Sequence, residues 1–247
     1  MVIKGLIFDI NGTLTDILTN EWHDDIYRIL GNLLAYQGVT LAPNAVKDLY
    51  FQIMKEQRAE SREPYPEFDA VGIFREILTR HASEFTRRLP PEKREQLPIF
   101  LAEMVRAASC YRLQLYDGVA ETLRQLISKY QLAIVSDGQS AYAVAELNAV
   151  GLSGLFNPVI ISGHFGFRKP DPRLFETALS IMNMAPSEVL YVGNDMYRDV
   201  YGAQQLGIKT VFFRSNQGQQ EKEGVQPDYI IYGFPELLNA VQFFEKR

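Results

Sequence analysis

The 247-residue chain has a single cysteine, Cys110, and so no pair from which an intrachain disulfide could form. That excludes the disulfide-stapled class and fits a reducing compartment. Long apolar runs are missing too. None approaches the roughly 20 residues a helix needs to cross a bilayer, and the opening "MVIKGLIFD" meets Asp9 too early to read as a secretion signal. Without such a signal, the glycosylation-like triplet Asn11-Gly12-Thr13 is read as chance. Neither charge sign dominates: 25 Lys and Arg stand against 30 Asp and Glu, giving a net charge of −5 spread along the chain. No basic stripe is present to follow a nucleic-acid backbone. Repeats and low-complexity segments are absent. These absences predict a soluble cytoplasmic protein, monomer or homodimer, with neither nucleic acid nor membrane among its partners.

What is present is ordinary globular composition, 47% apolar and 22% charged, in a chain long enough for one large domain with an insertion or for two domains. The second half alternates. The apolar runs "LAIVS" (132–136), "PVIIS" (158–162), "VLYVG" (189–193), "KTVFF" (209–213) and "DYIIY" (228–232) are separated by helical patterns such as "AETLRQLISKY" and "PRLFETALSIM". Strands alternating with helices argue for a parallel sheet, and continuous apolar strands argue that it is covered on both faces. The first half differs. After the strand "VIKGLIF", residues 17–113 show amphipathic helical patterns and no convincing strand. The predicted fold is α/β, a doubly wound parallel sheet built from residues 1–16 and 114–247, interrupted by an inserted four-helix domain over 17–113.

Open parallel sheets bind ligands beyond the carboxyl ends of their strands, so the polar residues that end each apolar run are the candidates. The first run ends in Asp9, Asn11, Gly12 and Thr13. "LAIVSDG" ends in Ser136, Asp137 and Gly138. "VIISGHFGFRKPDP" carries Lys169 a few residues past its strand, and "LYVGNDMYRD" ends in Asn194, Asp195 and Asp199. One strand end offers a carboxylate nucleophile, the next a hydroxyl, the third an ammonium and the fourth more carboxylates.

In that order and with that spacing, "DINGT", Ser136, Lys169 in "RKPDP" and "GNDMYRD" resemble the four motifs of the haloacid dehalogenase-like hydrolase superfamily, over nearly the whole chain. The resemblance implies a Rossmann-like core with a helical cap inserted after the first motif. It also implies a Mg²⁺-dependent phosphatase that attacks a small phosphorylated metabolite through an aspartyl-phosphate at Asp9. Asp9, the carbonyl of Asn11 and an acid of the fourth motif, Asp195 or Asp199, would bind the metal. Thr13, Ser136 and nearby loop amides at Asp137 and Gly138 would hold phosphate, and Lys169 would pair with nucleophile and phosphate alike. Asn11 departs from the family pattern. The family places a second Asp there as acid and base, and an amide can be neither, a loss worth about 10²–10⁴ in rate. Two alternatives follow: a metal-independent 2-haloacid dehalogenase, which also lacks the second Asp, and a non-catalytic phosphate-ligand-binding protein. Retention of Asp195 and Asp199 favours phosphate over halide.

Several residues read more plainly. Asp16 reads as the N-cap of the first inserted helix, and His23 and His81 as helix-surface residues. His164 reads as a loop residue and Cys110 as a buried inert thiol. Trp22, Tyr65 and Phe68 read first as core aromatics, with the lining of a pocket under the cap as the sharper alternative.

Overall fold

The computed structural model describes residues 2–246. Six parallel strands form the main sheet: β1 (Gly5–Phe8), β4 (Gln131–Ser136), β5 (Val159–Ile161), β6 (Val189–Gly193), β7 (Lys209–Phe213) and β8 (Tyr229–Ile231), in spatial order β5-β4-β1-β6-β7-β8. Side chains alternate across each strand. Leu6 and Phe8 of β1, with Leu190 and Val192 of β6, therefore pack on one face under helices α6 (Val119–Leu126), α7 (Ser140–Ala149) and α10 (Leu237–Glu245). Ile7, Val189 and Tyr191 pack on the other under α8 (Pro172–Met182) and the short α9 (Gly202–Gln204). Both faces are covered, as the continuous apolar runs require. The strand order reverses at β1, so a crevice opens where β1 and its neighbour β6 end, the place where doubly wound sheets take ligands.

Between β1 and β4 the chain leaves the sheet to build the cap. Four long helices, α1 (Asp24–Tyr36), α2 (Pro43–Glu60), α3 (Ala70–Arg80) and α5 (Pro91–Ser109), with the single-turn α4 (Glu84–Arg87), enclose their own apolar cluster around Leu30, Leu34, Ile53, Phe74 and Leu101. Pro at the first position opens α2 and α5, where its missing N–H costs nothing.

The junction corrects the expectation of no strand in 17–113. The outgoing chain, β2 (Thr15–Thr19), pairs antiparallel with the returning chain, β3 (Cys110–Leu115). A two-stranded ribbon is marginal by itself and leaves only a short alternation in sequence, and β3 follows α5 directly, so the helical pattern masks it. Asp16 accordingly sits in β2, held by Arg112 at 2.9 Å and Gln217 at 3.0 Å, and caps no helix. The cap of α1 is His23, whose Nδ1 accepts the Asp25 amide. Cys110 is half-buried at the start of β3.

A second seam joins the cap to the sheet domain. Residues 61–69, between α2 and α3, lie along the loops that follow β4 and β5. The Glu67 amide donates to Gly166 O at 2.9 Å, and Arg168 N to Tyr65 O at 2.9 Å. Gln139 exchanges hydrogen bonds with Ala70 N and Phe68 O, and Ser162 Oγ donates to Glu67 at 2.8 Å.

Candidate active site

The carboxyl ends of β1, β4 and β6 meet the loop carrying Lys169 at one buried cluster. Ser136, the last residue of β4, donates from Oγ to Asp9 Oδ1 at 2.8 Å. Lys169 Nζ reaches the same oxygen at 2.8 Å, Asp199 Oδ1 at 2.6 Å and the Tyr191 hydroxyl at 3.1 Å. An ammonium has three protons, and each has a partner. Lys169 is 3% exposed and Asp199 1%, so neither charge would survive there alone. Burial would discharge Lys169, but Asp199 and Asp9 beside it outweigh that and hold its pKa well above the usual lysine range. Asp9 Oδ2 has only the Thr13 hydroxyl nearby, at 3.4 Å, which leaves it the less constrained oxygen of the pair.

The turn after β1 aligns Asp9. The amides of Thr13, Leu14 and Thr15 all return to Ile10 O, and Gly12 N donates to Thr15 O at 2.8 Å. Gly12 has φ +88°, and a Cβ there would collide with the Asn194 amide. Glycine thus lets the ends of β1 and β6 close on each other. The Thr13 hydroxyl bridges them by donating to Asn194 Oδ1 at 2.9 Å. Asn11 lies at the mouth with its Oδ1 accepting from Thr15 Oγ1 at 2.9 Å.

The acids after β6 are spent on protein donors. Asp199 has Lys169 and Tyr191 on one oxygen and the amides of Asn194 and Asp195 on the other, all within 3.0 Å. Asp195 caps the π-helical turn Met196–Tyr201, accepting the amides of Tyr197, Arg198 and Gln219 and the Arg198 guanidinium. Burial pushes its pKa up, but the Arg198 amide and guanidinium and the Gln219 amide prevail and hold it below the ordinary value. Asn194, also buried at the end of β6, has a single donor on its amide oxygen, the Thr13 hydroxyl.

Asp137 is different. Its Oδ1 accepts the Lys169 amide at 2.8 Å, while its Oδ2 is buried with no hydrogen-bond partner, the Arg198 guanidinium standing off at 3.8 Å. Burial pushes its pKa up to about 6, against the pull of Lys169 and Arg198.

Asp9, Asn11, Asp137, Lys169, Asn194 and Arg198 line a cavity of about 200 Å³ together with Gln217, Gly218 and the two spent acids. Thr13 and Ser136 are buried and act on Asp9 and Asn194. Gly138 departs from the expected set because its amide donates to Ser162 Oγ at 2.9 Å. Sequence reasoning missed Arg198, Tyr191 and Gln217. Arg198 lies inside the fourth motif and Tyr191 is the one hydroxyl in an apolar strand, so both left a trace. Gln217 comes from a loop after β7 and left none. A neighbouring cavity of about 250 Å³ shares Lys169, Asp195 and Arg198 and is walled by Tyr65, Arg168 and Tyr197. Trp22 lies elsewhere, 63% exposed and stacked on Phe51, and Phe68 packs into the cap.

A buried Asp at the end of β1 is thus bridged to a Ser at the end of β4 and a Lys beyond β5, on a doubly wound α/β sheet. The sequence model of haloacid dehalogenase-like hydrolases matches residues 3–207, and the chain belongs to that family. It is 34% identical over 169 residues to the phosphoserine phosphatase of Thermus thermophilus, covering 68% of this chain and 66% of that enzyme. Over 128 residues it is 33% identical to the glyceraldehyde 3-phosphate phosphatase of Pyrococcus furiosus, so it spans about half of that relative's length (53%) and 51% of its own. A pyrimidine 5'-nucleotidase of Streptococcus pneumoniae is 26% identical over 98% of this chain and 96% of that one. In fold, the 2-haloacid dehalogenase of Pseudomonas syringae superposes with a TM-score of 0.70 at 18% identity, covering 98% of this chain and all of that one.

Proposed function

We propose that the protein is a Mg²⁺-dependent phosphatase of small phosphorylated metabolites, with Asp9 as nucleophile. The observation that carries the reading is the Asp9 carboxylate, fixed through Oδ1 by Ser136 and Lys169 with Oδ2 free to attack. The phosphatase and nucleotidase names of the relatives support the same class of substrate.

Asp9 Oδ2 forms a bond to phosphorus as the bond to the leaving oxygen breaks, giving an aspartyl-phosphate. Water then attacks that phosphorus and restores Asp9. Lys169 stays paired to Asp9 through both steps and faces the charge that builds on the phosphoryl oxygens.

The donor set suits a hard cation. Carboxylates at Asp9, Asp195 and Asp199 stand against Lys169 and Arg198 around the cavity, so an entering phosphate dianion needs further positive charge. No cluster of three or more acidic, His or Cys ligands exists among the described residues. Mg²⁺ needs none, since it keeps several waters and takes one or two carboxylates plus substrate phosphate. Asp9, the Asn11 carbonyl and the Asn194 amide oxygen would hold it, because each oxygen of Asp195 and Asp199 already accepts from two or more donors, whereas Asn194 Oδ1 accepts from Thr13 alone. When bound it would neutralise the phosphoryl oxygens. A surplus of acids is poorly matched to the metal-free haloacid reading.

The test is a panel of phosphorylated metabolites and short 2-haloacids, with and without Mg²⁺, on the wild type and Asp9→Asn. Mg²⁺-dependent phosphate release that Asp9→Asn abolishes is expected. Halide release in excess chelator would overturn the reading.

A further inference from the structure

The family's proton-transfer position holds Asn11, which cannot exchange a proton near neutral pH, and its side chain is tied to Thr15. If the site turns over esters of ordinary alcohols, some other group must protonate the leaving oxygen. The cavity walls narrow the choice. Asp9 is the nucleophile, and Lys169 is locked as a cation by three partners. Asp199 and Asp195 have both oxygens saturated by amides and cations. Arg198 does not release a proton in a protein. Asp137 alone among the described acids of this cavity has an oxygen that accepts no hydrogen bond, and that oxygen is buried, with the Arg198 guanidinium 3.8 Å away.

The fold ties Asp137 to the reacting carboxylate on two sides. Ser136, its neighbour in the chain, holds Asp9 Oδ1, while Lys169 binds Asp9 through Nζ and Asp137 through its backbone amide. A buried carboxyl with one bare oxygen is costly unless it carries a proton. Nothing about folding requires it, since an amide would accept the Lys169 N–H as well.

We propose that Asp137 Oδ2 is the general acid and base of this hydrolase, in the place of the side chain at position 11. In the first step the Asp137 proton passes to the leaving oxygen as the P–O bond breaks and Asp9 Oδ2 bonds to phosphorus. In the second, the Asp137 carboxylate takes a proton from water as that water bonds to phosphorus and the Asp9–phosphorus bond breaks. The net change is ester plus water to alcohol plus phosphate, with Asp137 reprotonated. The groups facing it are Lys169, Arg198 and Asp9. Titration near pH 6 leaves both protonation states available at neutral pH.

The proposal rests on the phosphatase reading, and the experiment separates the two. Asp137→Asn, Asn11→Asp, the double variant and wild type are assayed with Mg²⁺. The substrates are 4-nitrophenyl phosphate, whose leaving group needs no proton, and the alkyl phosphate that wild type turns over fastest. For the alkyl ester, Asp137→Asn should lose about 10²–10⁴ in kcat/KM, with the fall of wild-type kcat/KM above about pH 6 also gone. For the nitrophenyl ester, enzyme phosphorylation should be nearly unchanged and phosphoenzyme should accumulate. Asn11→Asp should restore activity to the Asp137→Asn background. Mg²⁺ affinity by calorimetry should be the same in Asp137→Asn and wild type. Equal losses on both esters, an unchanged pH limb, no rescue, or a Mg²⁺ affinity weakened as in Asp9→Asn would each overturn the Asp137 assignment while leaving the phosphatase intact. Failure of wild type on every phosphate ester would remove both.

Discussion

Four donors lie within 3.0 Å of the carboxylate of Asp199, beyond β6, whereas the carboxylate of Asp137, beyond β4, has one at 2.8 Å. Both stand at strand ends beside the same lysine, Asp199 fully buried and Asp137 half-buried with its Oδ2 enclosed. The fold has built around Asp199 and left half of Asp137 bare. A saturated buried charge is structural, and removing its partner is expensive. A buried carboxyl with a bare oxygen destabilises the protein and persists where something other than stability is being served. The contrast separates acids that hold the site from the acid with chemistry left to do.

The largest expected effect tests the lysine that joins the two acids. Lys169→Met should lower phosphatase activity by orders of magnitude, while Lys129→Ala, on the exposed turn after α6 at the opposite end of the sheet, should leave it unchanged. Steady-state kinetics on folded variants checks this, and similar small losses in both would break the comparison at its root.

Next comes Asp199→Ala, which leaves Lys169 half-compensated. A loss of about 3–5 kcal/mol is expected from breaking a buried pair, read from denaturant unfolding.

Asp137→Asn should act with the opposite sign. Its folded pKa of about 6 lies above the ordinary 3.8, so the native state binds the proton more tightly and loses stability as pH rises between those values. The variant should therefore be more stable than wild type by about 1–3 kcal/mol above pH 6, with the gain fading as pH falls through 4. A destabilised variant at pH 7.5 would mean that Oδ2 has a partner in solution.

Asp195 supplies the smallest effect. Its folded pKa is lowered, so its contribution is full above the ordinary carboxylate range and is lost as pH falls through the folded value. Asp195→Ala should cost about 1 kcal/mol as a lost cap, measured by thermal melts at pH 7 and converging with wild type in acid.

Much of this architecture was legible in sequence because it follows from burial. Continuous apolar runs could only be strands covered on both faces, and "VLYVG" and "KTVFF" match β6 and β7 residue for residue. The polar residues ending those runs had to lie at one edge of the sheet, so Asp9, Ser136, Lys169 and Asp199 could be named together. What each carboxylate does was not legible. Asp195 and Asp199 differ in which donors reach them: Arg198 and the amides of Tyr197, Arg198 and Gln219 for the first, Lys169, the Tyr191 hydroxyl and the amides of Asn194 and Asp195 for the second. Asp137 read as a loop acid because a missing hydrogen bond leaves no mark in sequence. Gly138 looked like a phosphate-binding amide until Ser162, from beyond another strand, claimed it. The β2–β3 ribbon was hidden because its pairing is between residues nearly a hundred positions apart.

The central claim is that Asp9 carries the phosphoryl group. Intact-mass spectrometry after brief exposure to acetyl phosphate and Mg²⁺, with acid quenching, tests it most directly. One phosphoryl adduct on Asp9 is expected in wild type, a larger fraction in Asp137→Asn, whose second step is slowed, and none in Asp9→Asn. Phosphate release without an adduct in any variant, or an adduct that survives Asp9→Asn, would contradict the account.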